Sequence, residues 1–223
     1  MNKRQIKDLL YEQVSRIGKA VASPKRLELL ELLSQSEKTV ERLAQELSID
    51  VKLTSAHLKT LKAARLVDSR RDGKYRVYRL AGDDVAQLWV TLRLVAEEHL
   101  VELQMALKSM VSAPDTLATM SRADLLEQAR RGDVIVIDVR PAEEFEIAHL
   151  PYARSMPLSE LERRLSELPR GADIVAYCRG PFCLLSDEAQ KLLTRQGYSA
   201  RKLLDGVAEW QAAGMPLDRP GGL

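Results

Sequence analysis

The chain has 223 residues, 45% hydrophobic and 30% charged, with a net charge of +2. That length points to two domains of roughly 100 residues each, and the composition excludes a chain that is mainly disordered. No apolar run reaches the roughly 20 residues that span a bilayer, and the N-terminus MNKRQIKDLLYEQ has charges where a signal peptide carries its apolar block, so a cytoplasmic location and no membrane partner are expected.

The charge is unevenly spread. Residues 1–112 carry +5 and the remainder −3. Within 52–79, nine basic residues stand against Asp68 and Asp72, the signature of an anion-facing surface.

In chain order, Ile6, Leu9, Leu10, Val14 and Ile17 share one helical face that closes near Gly18. Ser23-Pro24 opens a second helix, with proline at the first helical position. Leu27, Leu29, Leu30, Leu32 and Leu33 make that helix apolar on most sides, as the centre of a small bundle requires. Val40, Leu43, Ala44 and Leu47 mark a short third helix. Asp50 is placed to cap a fourth, which turns Thr54, Leu58 and Leu61 inward and leaves Lys52, Ser55, Ala56, Lys59 and Lys62 outside. Two extended runs, 67–71 and 75–80, flank Asp72-Gly73, a dipeptide that favours a two-residue hairpin turn.

From Asp83 to Val111 there is neither glycine nor proline, and Val85, Leu88, Trp89, Leu92, Val95, Ala96, Leu103 and Leu107 recur at helical spacing. One helix about 40 Å long is predicted. Its apolar stripe exceeds what a small domain can cover, so a homodimer through the first helix and the 83–111 helix is expected. Residues 112–116, with Pro114, form the expected linker between domain 1–111 and domain 117–223.

Past the linker the periodicity changes. Ser121 caps a short helix, and Val134-Ile135-Val136-Ile137 reads as a strand. Leu158–Leu168 is helical, Asp173–Tyr177 a strand, Leu184–Arg195 a helix closing at Gly197, Lys202-Leu203-Leu204 extended, and Val207–Ala213 helical. Alternating strands and helices imply an α/β domain with a mainly parallel sheet, whose ligands sit at the carboxyl ends of the strands. Cys178 stands at such an end.

A capped helix with a cationic outer face, preceded by a short helix and followed by a basic hairpin, suits the major groove of duplex DNA, the hairpin lying over phosphate. Lys52, Ser55, Ala56 and Lys59 are the expected base-facing residues, and Arg71, Lys74 and Arg76 the phosphate-facing ones. Ser23-Pro24-Lys25-Arg26-Leu27, His57-Leu58-Lys59-Thr60-Leu61 and Arg70-Arg71-Asp72-Gly73-Lys74 through Tyr78-Arg79-Leu80 resemble the ArsR-type winged-helix repressors. That resemblance implies a mainly α winged helix-turn-helix fold and a dimer on a palindromic double-stranded operator. Many such repressors sense metals through cysteines ahead of the reader helix or Asp and His on the dimer helix. Here Val40–Leu47 has no cysteine, and the dimer helix offers His99 and Glu102 in a His-x-x-Glu step, while of the Asp and His expected about a dozen residues earlier only Asp84 has a suitable type. One His and one carboxylate cannot close a tetrahedral site, so no metal and no other cofactor is expected. His57 reads as a packing or phosphate contact.

The chain holds two cysteines, Cys178 and Cys183, too few for a disulfide framework. Cys178 ends a strand and precedes Arg179-Gly180-Pro181-Phe182-Cys183 and a helix start. Such a loop turns amides inward and, with the helix dipole, stabilises a thiolate, to which Arg179 could add. Ile137-Asp138-Val139-Arg140 with Glu144-Phe145 and His149-Leu150-Pro151, Tyr177-Cys178-Arg179-Gly180, Leu204-Asp205-Gly206 with Trp210, and Ala213-Gly214-Met215-Pro216-Leu217 resemble a rhodanese domain. The resemblance implies that Cys178 takes a sulfane sulfur as a persulfide held by loop residues Arg179 to Phe182, with a sulfane-sulfur donor as partner and sulfurtransferase activity through that persulfide. Where the family has an arginine at the loop end, this chain has Cys183, which removes an oxyanion clamp and offers a resolving thiol. Asp138, His149 and Arg140 are expected to be structural, Arg140 by pairing with Glu144 or a similar carboxylate. Two functions are open: a DNA-binding regulator, expected to be a repressor, that responds to reactive sulfur, and a sulfurtransferase whose DNA-binding half only regulates its own gene. Soft-ion sensing by the two thiols is a third.

Overall fold

The structure, a computed structural model, describes residues 1–110 and 116–219. It divides into two compact units, Met1–Trp89 and Val90–Leu223. The expected linker 112–116 lies outside the described residues except for Thr116.

In the first unit, α1 (Lys3–Val21) starts at Asn2, whose side chain caps the Gln5 amide while Gln5 returns a bond to the Asn2 amide. Next come α2 (Pro24–Gln35), β1 (Lys38–Thr39), α3 (Val40–Leu47) and α4 (Val51–Ala63), then β2 (Val67–Asp72) and β3 (Tyr75–Leu80). Leu29, Leu30, Leu43, Leu47, Leu58, Leu61 and Val67 bury completely or nearly so in one core. The turn from α3 to α4 depends on Ser48, which adopts a left-handed conformation (φ 53°). The Asp50 carboxylate then accepts the Leu53 amide at 2.8 Å and fixes the start of α4. β1, β3 and β2 form an antiparallel sheet in that order. Asp72 pairs with Tyr75, so the hairpin turn is Gly73-Lys74, one residue later than the sequence suggested, with Gly73 at φ 59°.

The predicted single helix from 83 to 111 is two: α5 (Asp83–His99) and α6 (Val101–Met110), interrupted at Leu100. The Gln104 side-chain amide donates to the carbonyl of Glu97 (2.8 Å) and of Glu98 (3.2 Å). It takes the place of backbone donors that a continuous helix would supply, a break invisible to a pattern of apolar residues alone. Val111 lies outside the described residues. α5 carries Val85 into the first unit's core and crosses into the second unit at Val90.

The second unit also holds α7 (Arg122–Arg131), β4 (Ile135–Asp138), α8 (Ala142–Phe145), β5 (Arg154–Ser155), α9 (Leu158–Leu161) running into a 3-10 turn (Glu162–Glu167), β6 (Asp173–Tyr177), α10 (Leu185–Arg195), β7 (Ser199–Lys202) and α11 (Val207–Ala212). The last strand thus ends at Lys202 rather than at Leu204. The four strands are parallel in the order β5-β4-β6-β7. Period-2 alternation gives the sheet two cores: Ile174 and Ala176 of β6 pack beside α10, while Val175 and Tyr177 face Trp210 and Leu125. The chain leaves β4 toward one sheet edge and returns through β6 toward the other, so the carboxyl ends of β4 and β6 flank the topological switch point where open α/β sheets bind ligands.

Candidate functional site

Two regions collect the residues singled out by the sequence. On the first unit, α4 buries Thr54, Leu58 and Leu61, which leaves Lys52, Ala56 and Lys59 exposed and Ser55 and His57 half-buried. The hairpin cations fall into two groups. Arg70 is committed to Glu37 and Asp72 (3.0 Å to Asp72), which hold its guanidinium well above its ordinary range. Arg71, Lys74 and Arg76 form no ion pair among the described residues. Arg71 donates to the Gly73 carbonyl (2.9 Å), Arg76 to the Ser69 hydroxyl (3.0 Å), and the Lys74 ammonium sits 5.2 Å from the Tyr75 ring centre. Their charge remains available to an external anion.

On the second unit, Cys178 follows β6 directly and belongs to the same core as Ala189 and Leu193 of α10. Only 1% of Cys178 is exposed. Its Sγ lies 3.1 Å from the Ser186 hydroxyl, 3.5 Å from the Cys183 carbonyl and 3.8 Å from the Gly180 carbonyl. Burial alone would push this thiol's pKa up. Donation from the Cys183 thiol, the Ser186 hydroxyl and the Gly180 and Ser186 amides outweighs it and brings the pKa down to about 6. Cys183 moves the opposite way: its bond to Cys178 and its own burial hold its proton in place. Of the two thiols, Cys178 is thus the one whose proton is easier to lose, with Cys183 as its donor.

Two glycines let neighbouring groups close on this loop. A Cβ on Gly206 would lie 2.5 Å from the Arg179 carbonyl and 2.6 Å from the Cys178 carbonyl oxygen. Gly180, at φ 146°, would carry its Cβ 3.1 Å from both carboxylate oxygens of Glu209. Glu209 is itself buried. Its carboxylate accepts the Gly206 amide (2.8 Å) and pairs with the buried Arg93 of α5 (3.1 Å). Burial keeps the Glu209 carboxyl above its usual range despite the Arg93 charge.

Arg179 holds the buried Glu144 through Nε (3.0 Å) and Nη2 (2.6 Å). Arg140, expected to pair with Glu144 or a similar carboxylate, grips Asp138 (2.6 Å) and donates to the Ala148 carbonyl (2.8 Å). Tyr177 donates to the same Asp138 (2.6 Å) and accepts the Leu150 amide (3.1 Å), which anchors the end of β6 next to Cys178. His149 bonds the Phe145 carbonyl through Nδ1 (2.9 Å) and stacks on the Phe145 ring. Pro181 and Phe182 are half-buried, and His99 and Glu102 are exposed.

Sequence reasoning missed Ser186, Glu209 and Arg93. Glu209 had a signal, a carboxylate three residues after a glycine at a helix start. An arginine between Leu92 and Leu94 was the trace left by Arg93.

Comparison with known proteins gives two family matches: residues 23–69 match the arsR family of bacterial regulatory proteins, and residues 121–213 the rhodanese-like domain. The chain is 41% identical over 95% of its length to the HTH-type transcriptional regulator Rv0324 of Mycobacterium tuberculosis, covering 93% of that protein. A sulfurtransferase of Allochromatium vinosum is 33% identical over 40% of the chain and 83% of its own length. Among solved structures, a homodimeric winged helix-turn-helix DNA-binding domain of Mycobacterium bovis is 42% identical, covers 46% of the chain and 93% of its own, and superposes with a TM-score of 0.42.

Proposed function

The chain belongs to the arsR family of bacterial regulatory proteins and is a transcriptional regulator with a rhodanese-like domain; from that premise, we propose that it represses transcription in the cytoplasm as a DNA-bound homodimer and responds to reactive sulfur through persulfidation of Cys178. The observation that carries this reading is the position of Cys178 at the end of β6, by the sheet's switch point, with the Ser186 hydroxyl 3.1 Å from its Sγ. In the loading step the Cys178 thiolate attacks the outer sulfur of a low-molecular-weight persulfide R–S–SH. A new S–S bond forms at Cys178, the donor's S–S bond breaks, and its electron pair leaves on R–S⁻. Cys183, once deprotonated, resolves the product: it attacks Sγ of Cys178 to form a disulfide and releases HS⁻.

On the DNA side, Lys52, Ser55, Ala56 and Lys59 face bases and Arg71, Lys74 and Arg76 face phosphate of a palindromic operator. Exposed apolar residues on α1 (Leu10, Tyr11, Val14) and on α5 and α6 (Leu94, Val95, Met105) supply the surface that a second copy covers. The rival reading, a working sulfurtransferase, draws on the likeness to the Allochromatium protein. The arginine clamp for thiosulfate is absent at position 183, and Arg179 is occupied by Glu144, which favours the sensor.

The deciding experiment measures affinity for a duplex selected by the full-length protein from a random pool, before and after a persulfide donor, in wild type and Cys178→Ser. A change confined to wild type is expected. Equal shifts in both proteins, or sustained turnover of thiosulfate with unchanged DNA affinity, would overturn the proposal.

A further inference from the structure

Arg93 stands between Leu92 and Leu94 on α5, and both it and its partner Glu209 are at least nine-tenths buried. Burying an ion pair costs desolvation, so a pair of this kind is weak evidence for stability and calls for another reason. Its surroundings supply one. Glu209 adjoins Gly180 of the sulfur loop, where a Cβ would lie 3.1 Å from both carboxylate oxygens and a φ of 146° favours glycine, and it accepts the Gly206 amide. Arg93 carries one face of the guanidinium to Glu209, a second bond to Glu97 on its own helix, and lies 5.9 Å from the ring centre of Phe182, another loop residue. Among the described residues the buried Arg93 Nε hydrogen has no partner, so the side chain is held by its terminal nitrogens. Four residues of one cluster therefore join the cysteine loop to α5, the same helix that supplies Val85 to the core of the first unit.

The Ser186 hydroxyl and the carbonyls of Cys183 and Gly180 lie 3.1 to 3.8 Å from Sγ, and a second sulfur bonded about 2.05 Å from Sγ has to find its place among them. Two of these three neighbours belong to the loop, in which Gly180 adjoins Glu209 and Phe182 has its ring centre 5.9 Å from the Arg93 guanidinium.

We propose that the Arg93–Glu209 pair is the read-out of the sulfur loop: loading Cys178 displaces Gly180 and Phe182, shifts Glu209, and leaves Arg93 to reseat on α5, which changes DNA affinity. This rests on the persulfide reading of Cys178. When Glu209 shifts, Arg93 keeps Glu97 on its own helix but loses one of the two carboxylates that balance its buried charge. Following Glu209 or turning toward Glu97 moves the side chain against α5 in either case.

The test uses full-length Arg93→Gln, with Glu209→Gln as the second variant because it retains an acceptor for the Gly206 amide while removing the charge. Each is treated with a cysteine-derived persulfide and followed by three readouts: intact mass, affinity for the selected duplex, and backbone hydrogen exchange over residues 90–99. The expected result is one added sulfur on Cys178 in all three proteins. Loading should change DNA affinity by about tenfold or more and alter exchange in wild type. In both variants the affinity should change less than about twofold, with exchange the same in loaded and free states. A wild-type-sized response in either correctly folded variant overturns the read-out role while leaving the sulfur sensor intact. Wild type that loads sulfur but keeps its DNA affinity overturns the sensor reading itself, and this proposal with it.

Discussion

At Cys178 the balance of burial against hydrogen bonding determines the chemistry. A pKa near 6, below the 9.0 of a free thiol, makes the group a thiolate at neutral pH. Thiolate absorbance of the native protein at about 240 nm, taken as the difference between wild type and Cys178→Ser, should therefore rise through about pH 6 and level off by about pH 8. Ser186→Ala removes a donor to the thiolate and should move that midpoint upward. A midpoint unmoved by the substitution would show that the hydroxyl does not hold the charge. The same shift contributes to folding stability. Because the folded pKa is depressed, the contribution is complete above the unfolded value and is lost as pH falls through about 6. Cys178 itself was legible in the sequence, since an apolar run followed by Cys-Arg-Gly marks a strand end. Ser186 was not: it lies eight residues on, and only the return of α10 over the sheet brings its hydroxyl to the sulfur.

At the scale of elements, the basic hairpin separates cations that look alike in sequence. Arg70 is neutralised by Glu37 and Asp72, whereas Lys74 has no carboxylate partner among the described residues. Lys74→Ala should reduce the slope of log affinity against log salt by about 1, and Arg70→Ala should leave it nearly unchanged. Titration of the selected duplex at several salt concentrations reads both. Equal losses would mean that the ion pairs of Arg70 open on DNA. The helices of the first unit could be read from their caps and apolar spacing, because Asp50 and the Leu58/Leu61 face are local signals. β5 and α8 escaped notice: two and four residues are too short for any period to register. The break at Leu100 escaped for another reason, since Gln104 acts there through its side chain on carbonyls of the preceding helix.

For the whole molecule, the exposed apolar residues of α1, α5 and α6 are the surface on which the proposed homodimer is tested. Val14 is 70% exposed and Met105 is 66% exposed. Placing aspartate at both positions should convert the protein to a monomer in sedimentation and abolish tight binding to a palindromic duplex, since each half-site then acts alone. A dimer that survives both changes would locate the interface elsewhere. The division of the chain inside α5 also follows from the composition of that helix, with Val85 serving the first core and Arg93 the second unit.

Gly206 ties the cysteine loop to the start of α11. A Cβ there would lie 2.5 Å from the Arg179 carbonyl and 2.6 Å from the Cys178 carbonyl oxygen, main-chain atoms that have no rotamer to yield. Any side chain at position 206 would therefore move the backbone that carries the sulfur, so Gly206→Ala acts on the loop without touching a single group of its chemistry.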